Sequence, residues 1–359
     1  MTNRLSQFRQ LLSKNNLSAA LVSDKSNIAY LSGFSGSSAR LIVSADQTFI
    51  ATDSRYWQQA SEECPNFTLL KIERKTLEWL SPLLQSLNTG VLAYEDSLSH
   101  KDFLALQEAL VGSNGIELQS LGDCLRDVRA IKSDTEIKFI REAVRITDLA
   151  YTQTVANLEE GVSEEELAWE TEKIARNLNG GQPLAFSLIV AFGARSALPH
   201  ARPSSNRLEK NQALLFDMGV SVQGYTSDMS RSFFFGKVPP DFVKIYDTVL
   251  SAQQKLIAEA RPGMSGGELD ELARTVIRQA GFDGSFGHGT GHGLGLAIHE
   301  KPSLSPQSAD LVLPGMVFTV EPGIYLTGRF GVRIEDTVLM TENGIEVLTQ
   351  SPKFAGYLF

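Results

Sequence analysis

Three short motifs in this chain occur twice, in the same order, about a hundred residues apart. Gly161-Val-Ser163-Glu-Glu-Glu166-Leu167 is matched by Gly263-Met-Ser265-Gly-Gly-Glu268-Leu269. Pro199-His200-Ala-Arg-Pro203-Ser204 is matched by Ile298-His299-Glu-Lys-Pro302-Ser303, and Leu215-Phe-Asp217-Met-Gly219 by Thr319-Val-Glu321-Pro-Gly323. Subtracting positions gives spacings of 102, 99 and 104 residues. The first pair are S-x-x-E capping boxes, which start helices by satisfying N–H groups that lack an intrahelical acceptor. One such match could be chance; three in order indicate a duplicated helix–helix–hairpin unit. A repeat this long is not a solenoid unit. Two copies closing face to face, with a site between them, is the natural alternative.

Each copy carries a hairpin with a pair of acidic residues. The apolar run Gln212–Val222 holds Asp217, Gly224 marks a turn, and Tyr225–Phe235 returns. In the simplest register Asp217 pairs with Asp228, since both lie 5.5 positions from the midpoint 222.5. Opposed residues in an antiparallel pair have Cβ atoms about 4.5–5.5 Å apart. Two carboxylates at that distance repel, and a cation between them removes the cost. Alternatively, one of the two is an ordinary surface aspartate. In the second hairpin Glu321 and Glu335 are equidistant from Gly328, each in an apolar setting. Acidic residues are seldom buried unless paired or metal-bound. Asp336 falls on the opposite face and is expected to cap or face solvent.

Between the hairpins runs Phe286-Gly-His288-Gly-Thr-Gly-His292-Gly-Leu-Gly-Leu-Ala-Ile-His299-Glu300, with three of the five histidines. Neither G-x-x-x-x-G-K-[ST] nor a full G-x-G-x-x-G is present, which disfavours a phosphate loop. A histidine cluster with four apolar-flanked carboxylates reads as a metal site. Four carboxylates and a neutral imidazole sum to −4, the charge two divalent ions balance. The oxygen-rich donor set suits manganese first, with cobalt or zinc as alternatives. Two such ions can acidify a water for hydrolysis near neutral pH.

The first third has a different pattern. A helix near Arg4–Lys14, apolar runs at Ala19–Val22, Arg40–Val43 and Thr48–Thr52, and a helix near Lys101–Leu110 predict a three-layer α/β domain. Tyr30–Ser38 reads as turn-rich. A long amphipathic helix, about 134–158, opens the second domain. The boundary is placed at 125/126, giving domains 1–125 and 126–359.

A net charge of −9 argues against nucleic acid and anionic membrane as partners. No run approaches the length of a membrane span, and the polar start shows no signal peptide, so a cytoplasmic enzyme is expected. Cys64 and Cys124 show no metal or disulfide spacing. Gly33-Phe-Ser-Gly-Ser is not the G-x-S-x-G of a serine hydrolase.

Five stretches make the chain resemble the pita-bread metallopeptidases, which include Xaa-Pro aminopeptidases, Xaa-Pro dipeptidases (prolidases) and, more distantly, methionine aminopeptidases. They are Phe216-Asp-Met-Gly219, Tyr225-Thr-Ser-Asp228, Gly291-His-Gly-Leu-Gly295, Val320-Glu-Pro-Gly323 and Val332-Arg-Ile-Glu-Asp336. Tyr30-Leu-Ser-Gly-Phe-Ser-Gly and Thr52-Asp-Ser-Arg-Tyr-Trp look like the creatinase-type N-terminal domain. The resemblance implies an α/β and α+β chain: a creatinase-type three-layer domain, then a pita-bread catalytic domain. It implies two divalent metal ions held by Asp217, Asp228, His292, Glu321 and Glu335, with Asp217 on one ion, Asp228 and Glu335 shared, and His292 and Glu321 on the other. His200 and His299 match outer histidines that hold substrate, His288 another pocket histidine, and Arg333 and Tyr325 supporting residues. Glu321 would shuttle the proton to the leaving proline nitrogen. The implied activity is hydrolysis of an Xaa-Pro bond in short peptides with proline second, by a homodimer. The Phe-Ser-Gly-Ser and Asp-Ser-Arg-Tyr pattern favours an aminopeptidase, with a dipeptidase as the alternative and a non-catalytic peptide-binding module as a remote one.

Overall fold

The computed structural model describes residues 2–73, 77–111, 115–354 and 356. The chain forms two compact units, Met1–Arg129 and Ala130–Phe359. Among the described residues no helix is long and apolar enough to cross a membrane.

The first unit is built on a six-stranded sheet. Its strands are β1 (Ala19–Val22), β2 (Arg40–Ser44), β3 (Thr48–Thr52), β4 (Thr68–Lys71), β5 (Val91–Tyr94) and β6 (Glu117–Ser120), in spatial order β4-β3-β2-β1-β5-β6. β1 and β2, and β2 and β3, pair antiparallel; the other neighbours are parallel. All four residues of β1 are buried, as a strand covered on both faces requires. Leu21, Ile42 and Leu92 share one core with Leu80, Leu84 and Leu106. The helices are α1 (Thr2–Lys14), α2 (Lys25–Ser32), α3 (Trp57–Glu63), α4 (Leu80–Ser86), α5 (His100–Ala109) and α6 (Cys124–Ala130). The stretch read as turn-rich from Tyr30 is helical as far as Ser32. Asp24 accepts from the Asn27 N–H at its start, and Gly33, at φ 79°, stops it in the left-handed conformation. These local signals outweighed the clustered small residues.

The second unit repeats one plan. The first copy has α7 (Asp134–Ala156), α8 (Glu164–Leu178), β7 (Ile189–Phe192), β8 (Gln212–Met218), the short pair β9 (Ser221–Val222) and β10 (Tyr225–Thr226), and β11 (Met229–Phe235). The second has α9 (Pro240–Glu259), α10 (Gly266–Gln279), β12 (Gly291–Gly293), β13 (Glu300–Leu304), β14 (Val317–Val320), β15 (Gly323–Leu326), β16 (Phe330–Arg333), β17 (Asp336–Thr341) and β18 (Gly344–Val347). One sheet runs β11-β8-β7 and the other β13-β12-β14-β17-β18. Each copy has its own core: Tyr151, Leu167, Phe192 and Phe216 in the first, Phe242, Leu256, Phe318 and Val338 in the second. The capping boxes at Ser163/Glu166 and Ser265/Glu268 both form, as does a third at Ser133/Glu136.

The first hairpin closes one position later than its simplest register. Gln223 (φ 51°) and Gly224 (φ 83°) make the two-residue turn, a pairing of positive φ values that suits a right-twisted ribbon. Asp217 therefore faces Ser230, not Asp228. A slip of two residues preserves the face, so Asp228 remains a diagonal neighbour of Asp217. In the second hairpin Val320↔Asp336 and Gly323↔Arg333 bracket Glu321 and Glu335, in the register centred on Gly328. Asp336 does not face solvent. It is fully buried, paired with Arg231 at 2.9 Å and with Lys353. The glycines beside His292 answer a steric need: a Cβ on Gly291 would lie 2.0 Å from Thr319 O, and one on Gly293 2.0 Å from Lys301 O.

The second copy's capping box gives a direct check on this reading of the repeat. Ser265 accepts from the Glu268 N–H, and Glu268 accepts from the Ser265 N–H and hydroxyl. Ser265→Ala should lower stability by about 1 kcal/mol, read as a lower midpoint in urea unfolding.

Candidate metal centre

The four carboxylates and one imidazole singled out from sequence line one cleft of roughly 800 Å³. Asp217 comes from β8 and Asp228 from the residue before β11. His292 is the middle residue of β12. Glu321 lies between β14 and β15, and Glu335 between β16 and β17. Ligand atoms of Asp228, His292 and Glu335 lie within 4.8 Å of one another. His292 Nε2 is 3.6 Å from Asp228 Oδ2 and 3.5 Å from Glu321 Oε1. Arg333 donates to Asp217 Oδ2 at 2.6 Å.

This cluster is unfavourable as a set of bare side chains. Asp217 Oδ1, Asp228 Oδ1 and Glu335 Oε1 are buried with no hydrogen-bond partner among the described residues. Burial, then the charge of Glu335 and the other acids, holds the Asp228 carboxyl well above its ordinary range. Burial and the Glu321 and Asp217 charges do the same to Glu335. Glu321 is also raised, mainly by burial. Burial pushes the His292 imidazole down, toward the neutral form. Its Nδ1 lies 3.1 Å from Gly293 O, an arrangement that puts the proton on Nδ1 and turns the Nε2 lone pair toward two carboxylates. A lone pair and three unpartnered carboxylate oxygens on side chains that line one cleft are what a divalent cation satisfies. The donor set fits that group.

Of the other predicted residues, His200, His288, His299 and Arg333 line the same cleft, and Tyr325 contacts two of them from behind it. Arg333 donates from Nε to Ser230 Oγ at 2.7 Å and from Nη1 to Pro199 O and Tyr325 Oη, both at 3.0 Å. Ser230 Oγ donates to Glu335 Oε2 at 2.7 Å, so Arg333 reaches Asp217 directly and Glu335 through a hydroxyl. His288 Nε2 is 2.8 Å from Tyr325 Oη, and its Nδ1 is 4.0 Å from Glu321 Oε2. Burial first, then the charges of Arg333 and Glu321, sets the Tyr325 hydroxyl, which is pushed up to about 12 and stays a proton donor. His299 stacks edge-on to His292 with ring centroids 4.3 Å apart, and burial lowers its imidazole. His200 is exposed on the cleft wall.

Sequence reasoning passed over two supporting residues. Ser230 orients Glu335, and Thr319 donates to Glu321 Oε1 at 3.2 Å while accepting the His292 N–H at 3.0 Å. Ser230 lies two residues after Asp228 and Thr319 two before Glu321. The strand period of two could have found both.

The chain belongs to metallopeptidase family M24. The family pattern matches residues 138–342, and that of the Creatinase/Prolidase N-terminal domain matches residues 4–131. The chain is 34% identical over 354 residues to the Xaa-Pro dipeptidase of Pyrococcus horikoshii, with 98% of each chain covered. Its fold is similar to that of an Xaa-Pro dipeptidase from Bacillus anthracis, with TM-score 0.93, 33% identity and 99% of each chain covered. It is also similar to an X-Pro aminopeptidase from Thermotoga maritima, with TM-score 0.91, 32% identity, and 98% of this chain and 99% of that one covered. The first unit is thus a creatinase-type domain, the second a pita-bread catalytic domain, and the protein a hydrolase.

Carboxylate repulsion gives this site a testable signature. Glu335→Gln removes one of the crowded charges, so the metal-stripped variant should melt higher than the metal-stripped wild type. The rise should be about 2–4 °C for each kcal/mol relieved. The same variant should lose most of the stabilisation that added manganese gives the wild type, as read by thermal melts with and without the ion.

Proposed function

We propose that this chain is an Xaa-Pro dipeptidase that cleaves dipeptides with proline in the second position. This reverses the order of the two readings from sequence. The relatives named as Xaa-Pro dipeptidases support it, and one observation carries it: the charge available in the cleft. The acidic residues lining it are Asp217, Asp228, Glu321 and Glu335, all in the metal cluster. Its two arginines differ. Arg333 is buried and fully engaged. Arg202 is exposed, and its guanidinium makes no hydrogen bond or ion pair among the described residues. Its backbone is fixed, because Arg202 O accepts from Arg195 and Arg195 pairs with the buried Glu164. A free guanidinium on a fixed wall suits the C-terminal carboxylate that a dipeptide places one residue beyond the scissile bond.

Asp217, Asp228, His292, Glu321 and Glu335 would hold two divalent ions, manganese first among them. Bound there, the ions supply an acidified water and a Lewis acid for the scissile carbonyl. The protein's own groups do the rest. Proline's tertiary amide has no N–H, so its nitrogen must receive a proton as it leaves. Glu321, whose carboxyl burial raises above its ordinary range, is the group to carry it. His200 and His299 face the cleft where they can hold the substrate carbonyl, and His288 is oriented by Tyr325. Action in the cytoplasm as a homodimer belongs to the same reading.

The assay compares Ala-Pro, Ala-Pro-amide and Ala-Pro-Ala with manganese present. Ala-Pro should be the best substrate, and His292→Ala or metal stripping should abolish its cleavage. Arg202→Gln should raise KM for Ala-Pro about tenfold or more, the loss of a charged hydrogen bond, while leaving Ala-Pro-amide unaffected. Faster cleavage of Ala-Pro-Ala than of Ala-Pro would restore the aminopeptidase reading.

A further inference from the structure

The β ladder breaks at the two glutamates. β14 ends at Val320 and β15 begins at Gly323; β16 ends at Arg333 and β17 begins at Asp336. In that gap the N–H of Glu321 goes to Thr290 O at 2.8 Å and that of Glu335 to Ser230 O at 3.1 Å, so neither is spent across the hairpin. The carbonyls just before them, Val320 O and Ile334 O, meet one group. Gln253 Nε2 lies 3.1 Å from each. Gln253 is fully buried on α9. Its Oε1 accepts from Lys353 Nζ at 2.9 Å, and that ammonium also pairs with Asp336. A primary amide has two N–H donors and one oxygen. Here all are engaged, and Lys353, which can only donate, decides which end of the amide faces the hairpin.

We propose that Gln253, oriented by Lys353, is a positioning residue for the metal centre. It ties together the backbone on which Glu321 and Glu335 are mounted and so sets the separation of two carboxylates that repel each other. The inference rests on the metal-centre reading above. Gln253 touches neither substrate nor the reacting groups; its effect passes through the carbonyls that precede the two ligands. Groups that orient metal ligands in this way change affinity by about 10–100-fold when removed. A merely structural glutamine would lower stability to the same extent with and without metal.

The test is calorimetric titration of the metal-stripped full chain with manganese(II) chloride, for wild type, Gln253→Met and Lys353→Met, with far-ultraviolet circular dichroism to confirm folding. Gln253→Met removes both donors at similar volume and should bind manganese about tenfold or more weakly. Lys353→Met, which leaves Asp336 its pairing with Arg231, should shift affinity in the same direction by less. A folded Gln253→Met with unchanged affinity and only a lower melting point would overturn the proposal. If Gln253→Met does not fold, Lys353→Met decides: weakened binding supports the proposal and unchanged binding overturns it. A wild-type chain that takes up no manganese removes the metal-centre reading itself, and this proposal with it.

Discussion

Four carboxylates share one cleft, and two buried arginines carry much of the work of keeping them there. Like charges about 4 Å apart repel by about 4 kcal/mol per pair at the effective dielectric of a protein site. Arg333 touches Asp217 and reaches Glu335 through Ser230. Arg231, almost completely buried, donates to the carbonyls of Ser230 and Glu335 and pairs with Asp336. These guanidiniums fix geometry more than they neutralise charge. Asp228, Glu335 and Glu321 all stay above the ordinary carboxyl range despite them. The protein holds an arrangement that is unfavourable as bare side chains and that cations would relieve, which would be preorganisation for a metal-dependent reaction.

The duplication explains how so many acids arrive at one place. Each copy delivers one hairpin with two of them, and the strand period of two keeps each pair on one face. The copies do not perform identical tasks. The first closes on a tight two-residue turn at Gln223 and Gly224, leaving Asp217 and Asp228 diagonal. The second interrupts its ladder at Glu321 and Glu335, which frees their N–H groups for Thr290 and Ser230. The imidazole comes from β12, held against β13 and β14 where the glycines on either side of His292 let the backbones approach. Function and packing meet at those glycines, because a side chain at either position would displace the strand that carries His292.

Beyond the metal cluster, the cleft is defined by what is left over. Histidines 200, 288 and 299 supply imidazoles, and Arg202 supplies the charge that no described residue answers. This imbalance bears on substrate length. A dipeptide has two charged termini close to its scissile bond, and one of them is an anion. Under the proposed function the acids here would be committed to cations, which would leave the guanidinium as the available counter-charge.

Much of this was legible in the linear chain. The capping boxes at Ser163 and Ser265 are local devices, closed within four residues, and they form as read. The acid pairs were visible because a hairpin turns sequence symmetry into proximity, as with Glu321 and Glu335 about Gly328. Local rules erred where two local signals competed: Asp24 and Gly33 made a helix where small residues suggested turns, and a two-residue turn moved the Asp217 register. Tertiary structure alone decided the fate of Asp336, whose partners Arg231 and Lys353 lie 105 and 17 residues away. It alone brought Gln253 from a helix to two carbonyls 67 and 81 residues on. The physical reason is the same in each case. A sequence pattern fixes periodicity and turns, which depend on neighbours, whereas a buried charge or amide takes whichever partner the packing of distant elements places within reach.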